Sequence, residues 1–240
     1  MKFFMPIFFL ITLSATPLRD ISAKKYLIVW NIGQGQWVTA VENDQCLHFD
    51  AGGEFFPWAR LRELCGKKQN RFFLSHWDWD HIGALSHSQL LKTLPSSCIA
   101  LRPLGKSSGR KMNILGSLPD CPDPEVSTWT PGLAKDTNSE SHVVSYHHFL
   151  MPGDSPIPQE RKWEWQPWVP TTEVLVLGHH GSRTSTSLGL LRRMPHLKMA
   201  VSSARWARYH HPHAEVVALL KRFGISLLRT EDFGNLWFEL

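Results

Sequence analysis

A layered α/β domain is the fold class this chain predicts, and three observations carry it. Short apolar runs of strand character alternate with segments of helical spacing. One run, Val174-Leu175-Val176-Leu177, is apolar at every position, as in a central strand buried on both faces. Polar residues recur where such runs end: Asp50, the segment 76–81, Asp154 and the pair His179-His180. Loops at strand ends, held by a rigid sheet, are where α/β proteins gather ligands.

The elements follow in order. Lys2 precedes the apolar stretch 3–13, which is shorter than the ~20 residues a bilayer span needs. A cationic start, a short apolar core and small residues after it predict a signal peptide over residues 1–23. Cleavage after Ala15 or Ala23 would export the mature protein to the periplasm or the exterior; an uncleaved anchor is the alternative. Strands are expected at 26–30, 37–41 and 46–50, with a glycine-rich turn at 31–36 and a hairpin turn at Asn43-Asp44. A helix over 57–65 stops at Gly66, and a strand over 71–74 leads into the segment 75–81. A single helix over 82–91 is expected next. Residues 102–140, rich in Gly, Pro, Ser and Lys, predict a long surface excursion with no core element. One strand spans 143–150 and stops at Pro152-Gly153-Asp154, before an irregular stretch holding Trp163, Trp165 and Trp168. Beyond the strand at 174–177 come a short helix over 188–193 and a strand over 199–202. A helix over 214–223 turns Val216, Val217, Leu220 and Phe223 to one side, and strands at 225–228 and 236–238 close the chain.

The chemistry concentrates in Ser75-His76-Trp77-Asp78-Trp79-Asp80-His81, which packs two imidazoles and two carboxylates into six residues. A strand that delivers such a set of nitrogen and oxygen donors into a loop builds a transition-metal site. In an extended segment His76, Asp78 and Asp80 share one side. His81 joins them only if the chain bends, and Gly83 is expected to permit a close approach at the next helix start. The competing possibility is a solvated polar loop.

Composition bounds the rest. A chain of 240 residues suits one large domain, and 42 % hydrophobic with 20 % charged residues excludes a disordered chain. The net charge of +5 fits a polyanionic partner or an ordinary basic surface, since no Lys/Arg block occurs. Cys46, Cys65, Cys98 and Cys121 form no C-x-x-C pair, which argues against a zinc knuckle or a redox motif. In an exported chain they permit two disulfides in any of three pairings, or buried free thiols.

The order of these signals resembles the metallo-β-lactamase fold, and more narrowly the hydrolase domain of the ComEC/Rec2 competence proteins. Residues 31–36 resemble that family's D-V-G-Q-G-D turn, and Asp50-Ala51-Gly52-Gly53 its D-x-G-G. Residues 75–83 resemble its T-H-x-D-x-D-H-x-G, Asn138 and Ser141 its N-x-x-S, and Gly153-Asp154 its G-D. His179-His180-Gly181-Ser182, His211-Pro212 and the segment 229–234 complete the order. Asn31 and Gln36 depart from the family's acids, His210 replaces a glycine, and no channel portion accompanies the domain.

The resemblance implies a four-layer αββα domain over 24–240 and one or two divalent cations, zinc or manganese. It implies a DNA phosphodiesterase, with a membrane channel for DNA uptake as a possible partner. Asp154 would lie between two cations, with His76, Asp78, Asp80, His81 and one of the later histidines as the remaining ligands. His179, at the strand end, is the favoured ligand, which leaves His180, with Asp80, the catalytic role. Asn138, Ser141, Ser182, Thr184 and His211 are candidate substrate contacts; a helix N-cap at Ser182 and a structural role for His211 are the alternatives. Trp77 and Trp79 either stack on a base or form walls. A same-fold hydrolase of a phosphocholine ester or a lactone, and a non-catalytic DNA-binding remnant suggested by Asn31 and Gln36, are the other functions the residues allow.

Overall fold

A computed structural model describes residues 25–122 and 126–240. The expected signal peptide lies outside these residues. Four-residue strand β1 (Tyr26–Val29) shows how the layers arise: Leu27 and Val29 enter one apolar core, and Ile28 enters another. A strand buried on both faces must be apolar throughout, and its period of two sorts the side chains between layers.

The chain runs β1, β2 (Val38–Val41), β3 (Gln45–Phe49), α1 (Trp58–Cys65), β4 (Gln69–Phe73), α2 (Trp79–Ile82), α3 (Gln89–Thr93), β5 (Ser97–Leu101) and α4 (Gly109–Gly116). It continues with β6 (Ser127–Trp129), β7 (Val143–Tyr146), β8 (Phe149–Met151), α5 (Ile157–Trp163), β9 (Val174–Val176), α6 (Leu188–Arg192) and β10 (Met199–Ser202). The last elements are α7 (Trp206–Tyr209), α8 (Ala214–Arg222), β11 (Ser226–Arg229), α9 (Thr230–Phe233) and β12 (Leu236–Glu239). One sheet has the order β12-β1-β2-β3-β4-β5, the other β11-β10-β9-β8-β7-β6. The pairs β3–β4, β4–β5, β8–β9, β9–β10 and β10–β11 are parallel, and the rest are antiparallel.

The two sheets face each other across Leu27, Val29, Phe49, Phe73, Val144, Phe149, Val176 and Val201. The outer face of the first sheet packs on Leu61, Ile82, Leu90 and Leu115 of the helical side. The outer face of the second packs on Trp163, Leu190, Val216 and Leu220. The result is the expected αββα arrangement, the metallo-β-lactamase fold.

Several expectations are corrected. The single helix after the donor segment is instead α2, a 3₁₀ turn at Gly83–Ser86 and α3. The expected strand over 143–150 is a hairpin that turns at His147, whose φ is +49°. The excursion over 102–140 contributes α4 and edge strand β6, and the stretch of tryptophans holds α5. Val217 and Phe223 of the last long helix are exposed, so its buried stripe narrows to Val216 and Leu220. A Cβ at Gly83 would meet nothing within 4 Å; the close approach is at Gly52, which lies against the peptide between Asp80 and His81. The cysteines pair as Cys46–Cys65 and Cys98–Cys121.

Candidate metal centre

The site forms where the C-terminal ends of parallel strands from both sheets meet. Strand β3 delivers Asp50, and β4 delivers Ser75 to Asp78. The chain then bends into α2, which brings Asp80 and His81 to the same point. The second sheet supplies Asp154 after β8, His179 and His180 after β9, and Ser203 after β10. Asp50, His179 and His180 all sit at positive φ, between 49° and 57°. Three non-glycine residues in this region carry strain that the surrounding packing must hold, a pattern typical of functional sites.

Two groups of donors converge, with ligand atoms within 4.8 Å of one another: His76, His81 and Asp154, and Asp80, His81 and His180. His81 Nε2 stands 3.0 Å from Asp154 Oδ1 and 3.3 Å from His180 Nε2. His180 Nε2 is 3.2 Å from Asp80 Oδ2. His76 Nε2 lies 3.6 Å from Asp78 Oδ2 and 3.8 Å from Asp154 Oδ2. Thus five of the six expected ligands, with His180, gather around one point. His179 stands at its edge, 29 % exposed, with Nε2 3.6 Å from Asp154 Oδ2.

The surrounding hydrogen bonds aim these donors. His81 Nδ1 is 2.7 Å from Asp50 Oδ2, and a carboxylate can only accept, so Nδ1 carries hydrogen and Nε2 turns to the centre. His180 Nδ1 donates to the Ser203 carbonyl at 3.0 Å, which leaves the lone pair of the neutral ring on Nε2. Asp50 is itself fixed by the Ser75 N–H at 2.7 Å, the Ser75 hydroxyl at 2.8 Å and the Gln36 amide at 2.8 Å. The Asp154 N–H donates to Ser141 Oγ at 3.2 Å, and the Thr137 hydroxyl donates to Asp78 at 2.9 Å. Gly153, at φ +55°, lies so close to Ser75 that a Cβ would sit 2.7 Å from Ser75 Cβ, which makes glycine necessary there.

The charge distribution matches the geometry. Burial opposes ionisation of Asp154, but His81 and His180 outweigh it and hold the carboxyl well below its usual range. Burial likewise opposes a charge on His81, yet Asp154 and Asp50 raise its pKa well above that of a free imidazole. Asp80 is held down by its hydrogen bond with His180 and the charges of His81 and His180, against the effect of burial. Burial, then the neighbouring histidines, lower His211 to about 4.

Two atoms at the centre, His76 Nε2 and Asp154 Oδ1, are buried without a hydrogen-bond partner. His81 comes within 3.0 Å of Asp154 Oδ1 but without hydrogen-bonding alignment. Orphaned buried donors of nitrogen and oxygen type, aimed at one point, fit a divalent cation.

The expected substrate contacts divide. Ser141, Ser182 and His211 are buried; Asn138 is half-buried and Thr184 exposed. Thr184 Oγ1 lies 3.2 Å from His179 Nδ1. Ser182 is not a helix N-cap, because Ser187 caps α6. Trp77 is a wall residue whose Nε1 donates to the Leu104 carbonyl at 2.6 Å, whereas Trp79 is exposed. Trp163 is buried in the outer core of the second sheet.

The residues that orient the ligands, Asp50, Ser75, Gln36 and Ser203, were not among the expected site residues. Asp50-Ala51-Gly52-Gly53 at a strand end was the available signal for the first of them. Ser203 had no signal, since its carbonyl acts through the backbone.

Fold and donor set together define a metallo-β-lactamase-fold protein, which implies a divalent metal. Among sequences, the chain is related to competence proteins of the ComEC/Rec2 kind. It is 27 % identical to Recombination protein 2 of Haemophilus influenzae over 230 residues, 85 % of the chain. It is 38 % identical to ComE operon protein 3 of Bacillus subtilis over 67 residues, 28 % of the chain. The chain covers 27 % and 9 % of these relatives, about a quarter of their length or less. Among solved structures, a diphosphatase from the PhnP family superposes with a TM-score of 0.50 at 14 % identity, covering 90 % of this chain and 98 % of that one. No protein-family model matches the chain. Fold and relatives together support a metal-dependent hydrolase.

Proposed function

We propose that this chain is a metal-dependent phosphodiesterase that cleaves DNA outside the cytoplasm. The observation that carries the assignment is the convergence of His76, His81, Asp154, Asp80 and His180, with Asp78 3.6 Å from His76, in which the buried His76 Nε2 and Asp154 Oδ1 lack hydrogen bonds. The relation to competence proteins supports DNA as the substrate and a DNA-uptake channel as a partner. The two disulfides support an oxidising, exported location, and with it a signal peptide over residues 1–23 and a hydrolase domain over 24–240 as parts of the same proposal.

His76, Asp78 and Asp154 would hold one cation and Asp80, His81 and His180 a second, with Asp154 between them. His81 belongs to both groups of donors, but Asp50 ties up Nδ1, so its single free lone pair serves only one cation. The mixed imidazole and carboxylate set suits zinc or manganese, and Asp78 favours the harder manganese. A cation held here supplies Lewis acidity toward a phosphoryl oxygen and brings the pKa of water toward neutrality.

The chain's own groups orient the reaction. Asp50 and Ser203 keep the Nε2 atoms of His81 and His180 turned inward. Asp80, one-third exposed at the mouth and kept ionised by its histidine neighbours, is available to orient the attacking water as a hydrogen-bond acceptor. His179, anchored through Thr184, takes the catalytic role first assigned to His180, as a contact to a phosphate oxygen. Asn138 and Thr184 remain accessible for substrate, while Ser141, Ser182 and His211 support the site from within.

The test is a substrate panel with manganese or zinc: single-stranded DNA, duplex DNA, a generic phosphodiester, a phosphocholine ester and a lactone. We expect DNA cleavage that weakens as salt rises, because cationic contacts to phosphate are exchanged for counterions. Ready hydrolysis of the phosphocholine ester or lactone, with both DNA forms intact, would overturn the assignment.

A further inference from the structure

A cleft of about 270 Å³ opens beside Asp80, and its lining includes Trp79, Tyr209, Gln34 and Arg208. Trp79 is 40 % exposed and Tyr209 51 % exposed. Neither ring is needed for the core. Trp77, two residues before Trp79, shows what a packing tryptophan looks like here: it is buried and its indole nitrogen is bonded.

Each exposed ring is backed by cations. Arg110 and Lys111 of α4 lie 5.3 and 5.0 Å from the centroid of Trp79. The Arg208 guanidinium lies 5.5 Å from the centroid of Tyr209. Such cation–π contacts hold a ring in place, and Arg110 and Lys111 add positive charge on the Trp79 side of the mouth. Glu54 is the one further acid on this cleft, and Arg205 and Arg208 neutralise it at 2.8 and 3.2 Å. Trp79 comes from the first sheet's side and Tyr209 from the second's, so the rings approach the cleft from the two halves of the fold.

Exposed aromatic faces beside cations are how proteins hold single-stranded nucleic acid: bases stack on the rings and phosphates follow the cations. The cleft lies just below the ~300 Å³ at which ordinary ligand pockets begin, which suits one planar group rather than a base pair. A base within a duplex has both faces covered by its neighbours and must leave the stack to enter such a cleft.

We propose that Trp79 and Tyr209 form a base-stacking subsite that selects single-stranded nucleic acid and sets the adjoining phosphodiester against Asp80. The proposal rests on the phosphodiesterase assignment above and adds its strand selectivity.

The test compares a labelled oligothymidylate with an abasic oligomer of equal length. Affinity is read by fluorescence anisotropy in EDTA, and cleavage is read separately with manganese. The full chain should prefer the base-containing strand by about tenfold, the scale of one stacked base. Trp79→Ala and Tyr209→Ala should each bring that ratio toward one, while Trp79→Phe keeps most of it; circular dichroism checks that each variant is folded. A wild-type ratio near one, or folded alanine variants that both keep the wild-type ratio, overturns the subsite. If both oligomers are cleaved while the ratio is one, the subsite alone fails. If neither is cleaved, the phosphodiesterase assignment fails, and the binding ratio still judges the subsite.

Discussion

Asp50 decides which nitrogen of His81 faces the centre, although it contributes no donor to either converging group. An asparagine there could turn its amide nitrogen to His81 and reverse the tautomer, and losing a partner of this kind typically costs ten- to a hundredfold in metal affinity. We expect Asp50→Asn to weaken manganese binding by about that factor, read by calorimetric titration, with the far-ultraviolet dichroism unchanged; wild-type affinity would show that the contact orients nothing. His180→Ala, in the same titration, should cost more than His179→Ala, because only His180 faces both Asp80 and His81. The sequence made His76, Asp78, Asp80, His81 and Asp154 legible because donor type and strand-end position coincide there. It favoured His179 over His180 as the ligand from strand-end position, since the orientation of the pair follows from two successive positive φ angles that spacing does not reveal. Gln36 was legible only as a departure from an acid. Its amide donates to Asp50 at 2.8 Å, so this residue helps hold the anchor of His81.

Under α1, strands β2, β3 and β4 carry a buried polar chain on their outer faces. The Trp37 indole N–H donates to His48 Nδ1 at 3.1 Å, and His48 Nε2 pairs with Asn70 Oδ1 at 3.0 Å. The imidazole is therefore held neutral, and burial lowers its pKa from 6.5 to about 4, against the hydrogen bond His48 donates to Asn70, which raises it. The unfolded chain binds this proton more readily, so the stability contributed by neutral His48 is complete above the unfolded pKa. It is lost as pH falls from 6.5 toward 4. The full loss is about 3 kcal/mol at ~1.4 kcal/mol per pKa unit. Urea midpoints at about pH 7.5 and about pH 5 should fall more steeply in the wild type than in His48→Gln; equal slopes would remove His48 as the titrating group. Strands β1, β2, β3, β9 and β10 were legible from apolar runs between turn residues. Strand β6 and helix α4 were not, because the segment that holds them is exposed and polar, and it is tertiary pairing with β7 that makes Ser127–Trp129 a strand. The hairpin of β7 and β8 was hidden because its turn is made by His147, not by a glycine or proline.

The two sheets each bring half of the centre, so it exists only when they are packed together. His76, Asp78, Asp80, His81 and their anchor Asp50 come from the first sheet. Asp154, His179, His180 and the Ser203 carbonyl come from the second. Asp154 lies within 3.0 to 3.8 Å of all four histidines His76, His81, His179 and His180, and so ties the two halves together. The scattered basic residues and the net charge of +5 fit a polyanionic partner or an ordinary basic surface. The most direct measurement is a titration of chelator-treated full-length protein with manganese and with zinc, read by calorimetry and elemental analysis, for the wild type and Asp154→Ala. The wild type should bind divalent metal at micromolar concentration or tighter, and Asp154→Ala, still folded, should lose most of that binding. A wild type that binds neither metal at micromolar levels, or a variant that binds as well as the wild type, would contradict the metal centre.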